Sequence, residues 1–201
     1  MAEPIQFHFD FISPYGWFAS LRIEEIAARH GRALQWHSML LGVAVMKVMG
    51  LKPMLDTPLK GDYVRRDVLR TARRHRLALR RDLDAPMHPL PAARAFQWVK
   101  HHQPQLAAPM AHALYDALWA QGRELRTAAQ VAAIALPAGI DAQALEQGIQ
   151  SPLAARLLRS EVAASLAAGV FGSPTVVVDG ELFWGADRLP DVDEWLARGG
   201  W

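Results

Sequence analysis

Ser13 stands where an alternating run, Ile5 to Phe11, gives way to Pro14-Tyr15-Gly16 and a helical pattern. Serine followed by proline is a preferred helix start, because the hydroxyl accepts from a free N–H and a proline at the first helical position forfeits no bond. The unpaired N–H groups and the positive dipole end at such a start favour anions and thiolates. A hydroxyl there can simply cap the helix, or it can donate a hydrogen bond to a bound thiolate and lower that thiol's pKa. The chain has no cysteine, so any thiol chemistry needs a borrowed thiol. The same absence removes disulfides, a cysteine nucleophile, thiolate zinc sites, iron–sulfur clusters and CxxC redox couples. His101 and His102 are adjacent and cannot share a helix face as two histidines one turn apart would, so no metal site is expected.

The elements that must position Ser13 follow from periodicity. Ile5, Phe7, Phe9 and Phe11 alternate with Gln6, His8 and Asp10, a strand with one face in the core and the other wet or against a different layer. A helix from Pro14 to His30, with Trp17, Phe18, Leu21 and Ile26 inward, closes at Gly31. Leu34 to His37 alternate as a second strand, so the opening reads as a strand–helix–strand unit. From about Leu40 to Ala168 the patterns are helical and alanine-rich. Tyr63 to His75, Ala92 to Lys100 and Pro109 to Gln121 read as helices, Thr127 with Gln130 as a capping box for a helix ending near Leu136, and Ser151-Pro152 as the start of a helix stopping at Gly169. Strand chemistry then returns in Thr175 to Val178 and Glu181 to Trp184, joined by Asp179-Gly180, a strong hairpin signal. A closing helix runs from about Pro190 to Arg198, for which Asp187 would serve as N-cap. The order predicts an α/β, thioredoxin-like fold (βαβ…ββα) with a large inserted all-helical domain, residues 1–40 and 165–201 forming the discontinuous first domain and 41–164 the insert.

With 201 residues, 51% of them hydrophobic, the chain can bury a core without staples. Its formal charge of +2 is too small to signal a nucleic-acid partner. Nine basic residues nevertheless crowd between Lys60 and Arg81 against Asp62 and Asp67, a pattern expected to be a solvated helix face. The longest nearly uncharged run, Ala33 to Met46, is shorter than the ~20 residues of a membrane span, so no membrane partner is expected. The start Met1-Ala2-Glu3-Pro4 lacks the basic flank and apolar stretch of a secretory signal, and a cytoplasmic protein is expected.

Four blocks, Phe9-Asp10-Phe11-Ile12-Ser13-Pro14-Tyr15, Leu40-Leu41-Gly42, Gly169 to Thr175 and Val178 to Leu189, together resemble the 2-hydroxychromene-2-carboxylate isomerase family. That family belongs with the kappa-class glutathione transferases and the DsbA-like proteins. The resemblance implies glutathione as cofactor, with Ser13 bonded to its sulfur. It implies a cis Ser173-Pro174 bond beside the helix start, the two residues pairing with the cysteinyl backbone, and Trp184, Gly185, Ala186, Asp187 and Arg188 holding the γ-glutamyl end. Lys47 and Lys60 match basic residues that face carboxylates, and His88 matches a substrate contact. Leu51 departs from the polar residue, usually asparagine, that the family carries nearby. The implied activity is a glutathione-dependent isomerase interconverting 2-hydroxychromene-2-carboxylate-type acids with a ring-opened benzylidenepyruvate. A kappa-like transferase or a non-catalytic ligand-binding protein are the alternatives. A small aromatic carboxylate is the implied partner, with a homodimer as the implied assembly.

Overall fold

The computed structural model describes residues 3–201, so the reading of Met1-Ala2 lies outside the described residues. Four strands form one mixed sheet in the order β2-β1-β3-β4. They are β1 (Ile5–Phe9), β2 (Leu34–Ser38), β3 (Thr175–Val178) and β4 (Glu181–Trp184). β1 pairs parallel with β2 and antiparallel with β3, which pairs antiparallel with β4 across Asp179-Gly180. Two strands thus come from each end of the chain, and they meet at β1. Helix α1 (Pro14–Arg29) joins β1 to β2, and α8 (Leu189–Arg198) follows β4 and ends at Gly199 with φ 75°.

The intervening chain is helical: a π-helical turn at Gly42–Val48, then α2 (Lys60–Arg74), α3 (Pro89–His102), α4 (Ala107–Tyr115), α5 (Ala128–Ala132), α6 (Ala142–Gln150) and α7 (Pro152–Ala167). The capping box at Thr127 and Gln130 is present, although α5 stops at Ala132, short of Leu136. The Pro109 to Gln121 pattern divides into the end of α4 and a π-helical turn, Asp116–Ala120, stopped by Gly122 at φ 69°. Helix α6 had no forecast, and its start is an Asp141 cap accepting from the Ala144 N–H. One predicted inward residue of α1 is corrected: Leu21 is exposed while Ile23 is fully buried, because the buried stripe runs through Gly16, Ala19, Ile23 and Ile26 at helical spacing.

β1 is buried on both faces. On one, Phe7 and Phe9 pack edge-on against Trp36, and Phe9 also meets Phe96 of α3 and Tyr115 of α4. On the other, the alternating polar residues are covered rather than wet. His8 stacks on His37 at 4.8 Å and its Nδ1 pairs with Ser165 Oγ of α7 at 3.0 Å. His37 in turn contacts Glu161, which also takes the Lys100 ammonium at 2.6 Å. Burial would raise the Glu161 pKa, but the His37 bond and the Lys100 charge outweigh it and hold the carboxyl at about 2. Burial, with the neighbouring His37, pushes His8 down to about 4. One hydrophobic cluster runs from Ile5 and Phe9 through Phe96 and Tyr115 to Val176 and Val192, joining sheet and helices in a single core.

The native state keeps His8 neutral down to about pH 4, while an unfolded chain protonates it near 6.5. Between those values the unfolded state binds the extra proton, so this contribution to stability falls with pH. Relative to His8→Gln, the wild type is expected to lose on the order of 3 kcal/mol between pH 7 and pH 4 in denaturant titrations. Parallel pH profiles for the two proteins would refute this.

Candidate active site

The main chain turns sharply after β1. The Ser13 N–H donates to the Asp10 carbonyl at 3.0 Å, and the Trp17 N–H to the Ser13 carbonyl at 3.1 Å. Ser13, 4% exposed, is the N-cap of α1, its Oγ accepting from the Gly16 N–H at 3.0 Å. The same hydroxyl donates to the Ser173 carbonyl at 2.9 Å. The Ser173–Pro174 bond is cis, and the Ser173 Oγ accepts from the Asp10 N–H at 2.9 Å. The end of β1 and the loop before β3, 163 residues apart, are thereby laced together. The Ser173 N–H has no protein acceptor among the described residues. The first turn of α1 also has a free donor, the Tyr15 N–H, because Pro14 has none and Gly16 is capped.

Beneath this corner lie Asp10, Tyr115 and Trp119, which the sequence reading did not select. Asp10 is fully buried, its carboxylate accepting from the Leu41 N–H at 2.7 Å and the Ile12 N–H at 3.2 Å. Burial pushes its pKa up to about 6 against those bonds. Tyr115, wholly buried, extends from α4 to donate from its hydroxyl to the Asp10 carbonyl at 3.1 Å, and Trp119 Nε1 donates to the Phe11 carbonyl at 2.9 Å. Tyr15 donates to Asp67 Oδ2 at 2.7 Å and so fastens α2 to the start of α1. The alternation around Asp10 carried a usable signal, since an acidic residue between phenylalanines in a buried strand needs bonding partners. Tyr115 carried none, because its helix packs there only through tertiary structure.

Of the other predicted residues, Trp184 and Gly185 join the corner directly. The Gly185 N–H donates to the Pro174 carbonyl at 2.9 Å, and Thr175 pairs with Trp184 across the hairpin. The half-exposed Trp184 ring packs edge-on against Phe171 with centroids 4.9 Å apart. Ala186, Asp187 and Arg188 form a 3-10 turn lying against α1. Asp187 does not cap α8: that position belongs to Arg188, which makes no side-chain cap, because the extra turn moves the helix start onward. Arg188 instead pairs with Asp187 at 3.2 Å and Asp191 at 2.9 Å. Lys47, Lys60 and His88 are exposed, and their side chains have no bonds among the described residues. Lys47 lies on the turn whose Ala44 packs with Val170, Lys60 opens α2, and His88 borders a crevice shared with Phe11, Ile12 and Arg81. The basic stretch is partly neutralised, since Arg65 pairs with Asp84, Arg70 with Asp67 and the buried Arg81 with Glu124. Among the described residues no cluster of His, Cys, Asp or Glu is placed to hold a metal, and no helix is long and apolar enough to cross a membrane.

A family model described as a DSBA-like thioredoxin domain matches residues 4–197. The chain belongs to that family. Among curated relatives, this DsbA-like protein is 26% identical to 2-hydroxychromene-2-carboxylate isomerase of Sphingobium xenophagum over 98% of its own length and 99% of the relative's. It is 25% identical to glutathione S-transferase kappa 1 of Rattus norvegicus over 92% and 87%. Among solved structures, a 2-hydroxychromene-2-carboxylate isomerase superposes with a TM-score of 0.80 at 24% identity, covering 96% of this chain and 94% of the other. The cytosolic disulfide reductase DsbM of Pseudomonas aeruginosa, solved with GSH, gives 0.65 at 16% identity, covering 97% and 96%. Both structures share the thioredoxin-like fold seen here.

In this DsbA-like chain Gly16 is packed against buried groups that cannot yield. A Cβ there would sit 2.5 Å from the Tyr115 hydroxyl and 2.9 Å from Ser173 Oγ, neither free to withdraw. Gly16→Ala is expected to destabilise the fold by ~1–3 kcal/mol through overpacking. At Gly172 the clash would be with the half-exposed Trp184 ring, which can swing out, so Gly172→Ala is expected to cost less. Equal losses in urea titrations would contradict this ranking.

Proposed function

We propose that this protein is a glutathione-dependent isomerase of 2-hydroxychromene-2-carboxylate-type acids, with Ser13 as the thiolate's partner. The supporting observation is the bond from the Ser13 hydroxyl to the Ser173 carbonyl. A peptide strand added beside Ser173 offers a main-chain N–H to that carbonyl and takes the unpaired Ser173 N–H in return. The Ser13 proton, displaced from the carbonyl, is then free to turn toward a sulfur at the helix start. The one bond given up is replaced, so the handover leaves neither the Ser173 carbonyl nor the Ser13 hydroxyl unpaired and has little net cost. The donor set fits a thiol peptide: two free N–H groups, a hydroxyl at a positive helix end and an exposed indole beside the cis-proline loop.

Bound glutathione would supply a thiolate that adds reversibly to the conjugated double bond of the ring-opened acid and leaves after rotation about the resulting single bond. Ser13 holds the sulfur in its ionised form through a charge-assisted bond. Ser173 and Pro174 orient the peptide, Trp184 and Gly185 wall its far side, and Ala186, Asp187 and Arg188 receive the charged γ-glutamyl end. Lys47 and Lys60 are the groups that we assign to the carboxylates of substrate and peptide, and His88 we assign to a further substrate contact. Residues 41–164 act as the helical insert that delivers them.

The relationship to the rat kappa transferase favours a second reading, in which the same thiolate attacks an electrophile without isomerisation. Conversion of the chromene carboxylate without stable conjugate, against conjugation of a halo-aromatic electrophile, separates the two. Ser13→Ala is expected to keep the fold and to slow turnover by roughly 10- to 100-fold, as losing one bond to a charged partner costs ~1–3 kcal/mol. Glutathione affinity should fall as well and the pKa of its bound thiol should rise, because the thiolate loses its charge-assisted donor, so turnover is compared at saturating glutathione. Unchanged turnover at saturating glutathione would remove Ser13 from this role.

A further inference from the structure

We propose that Asp10 is a positioning residue, its carboxylate holding the turn that presents Ser13 in a fixed relation to the segment that carries Lys47. This rests on the glutathione-site reading above for what is being positioned. Side chain and main chain together, Asp10 bonds to five residues of the corner: Ile12, Leu41, Ser173, Ser13 and Tyr115. One carboxylate oxygen accepts from Ile12 N–H, in the turn before Ser13, and the other from Leu41 N–H, 31 residues away in sequence. The main chain of the same residue binds Ser173 Oγ through its N–H and both the Ser13 N–H and the Tyr115 hydroxyl through its carbonyl. Leu41 immediately precedes the Gly42–Val48 turn, where Ala44 packs with Val170 ahead of the cis-proline loop and Lys47 faces outward.

A neutral asparagine oxygen could accept a bond at the same place without the cost of desolvating a charge. Asp10 bears that cost with no cation paired to it among the described residues. What the charge adds is strength, since N–H donors bind an ionised oxygen about twice as firmly as a neutral one. Removing the charge therefore loosens the Leu41 segment from the Ser13 turn while leaving the hydrophobic packing in place. From α4 the only titratable group facing Asp10 is the Tyr115 phenol, which burial holds neutral. The start of α1 and the cis-proline loop present the hydroxyls of Ser13 and Ser173, and Leu41 presents main chain. Titration at this point thus belongs to Asp10.

The test follows the amide resonances of Ile12 and Leu41 in the free, full-length protein between pH 4.5 and 8, with S-methylglutathione, which has no thiol to ionise, as the binding probe. Both amides are expected to move together with a midpoint near 6, and to be flat in Asp10→Asn. Affinity for the probe should fall at least threefold from pH 7.5 to pH 5 in the wild type. In Asp10→Asn it should be weakened at pH 7.5 and independent of pH. Amides that do not titrate, that titrate separately, or that still titrate in the variant would overturn the proposal. If Asp10→Asn fails to fold, the wild-type amide titration decides alone. Coupled amide titration without probe binding at any pH would sink the glutathione reading and leave the positioning role standing.

Discussion

The structure depends on satisfying the polar main chain where β1 ends and α1 begins, inside the protein rather than at its surface. A buried N–H or carbonyl without a partner costs as much as a lost hydrogen bond, so nearly every group there is met within the protein, the Ser173 and Tyr15 N–H groups excepted. Here the partners come from far along the chain: Ser173 for Asp10 and Ser13, Leu41 for the Asp10 carboxylate, Tyr115 and Trp119 for the carbonyls of Asp10 and Phe11. Ser13 and Ser173, which close the fold here, are also residues that the proposed function assigns to a peptide ligand. Under the proposed function, the exchangeable Ser13–Ser173 bond and the two unpaired N–H groups are what a peptide ligand would engage.

The core shows the same economy. β1 lies between two layers, and its alternation therefore separates apolar packing from a buried polar network rather than core from solvent. His8 is kept neutral there, Glu161 is kept ionised by His37 and Lys100, and Asp10, at the end of the same strand, is a carboxyl without a counterion. The helices between β2 and β3 are no appendage to the sheet, because Phe96 and Tyr115 belong to the cluster that β1 builds. Tyr115 then continues past that cluster to the Asp10 carbonyl, so helical packing and site geometry share one side chain.

Much of this was legible in the sequence because local chemistry decides it. The Ser13-Pro14 start, the Thr127 capping box, the Asp179-Gly180 hairpin and both C-terminal strands follow from capping, turn preference and alternation over a few residues. Ser173 was recognisable in one motif block and Trp184 and Gly185 in the next, and the structure bonds the first to Ser13 through the Ser173 carbonyl and the second to the first through the Gly185 N–H and the Pro174 carbonyl. What escaped was decided at long range. Leu21 faces outward because the true stripe passes through Ile23, and the role of Asp187 as a cap fails because one extra turn precedes α8. Asp10, Tyr115 and Leu41 meet only after the helices have packed, and no spacing between them signals it. Lys47, Lys60 and His88 remain exposed on separate elements, with no bonds that tie them to the corner.

The pairing of β1 with β3 also sets an order of events during synthesis. β1 and β2 are close in sequence, but the antiparallel neighbour of β1 and the loop that meets Ser13 are made more than 160 residues later. Until that stretch leaves the ribosome, one edge of the emerging strand, with its row of phenylalanines, has no native partner and is open to wrong ones. Contacts of such sequence separation close slowly and leave apolar surface vulnerable meanwhile. The helices made in between carry Phe96 and Tyr115, which cover one face of that strand in the finished fold, so they are the first native shelter that synthesis offers it after β2.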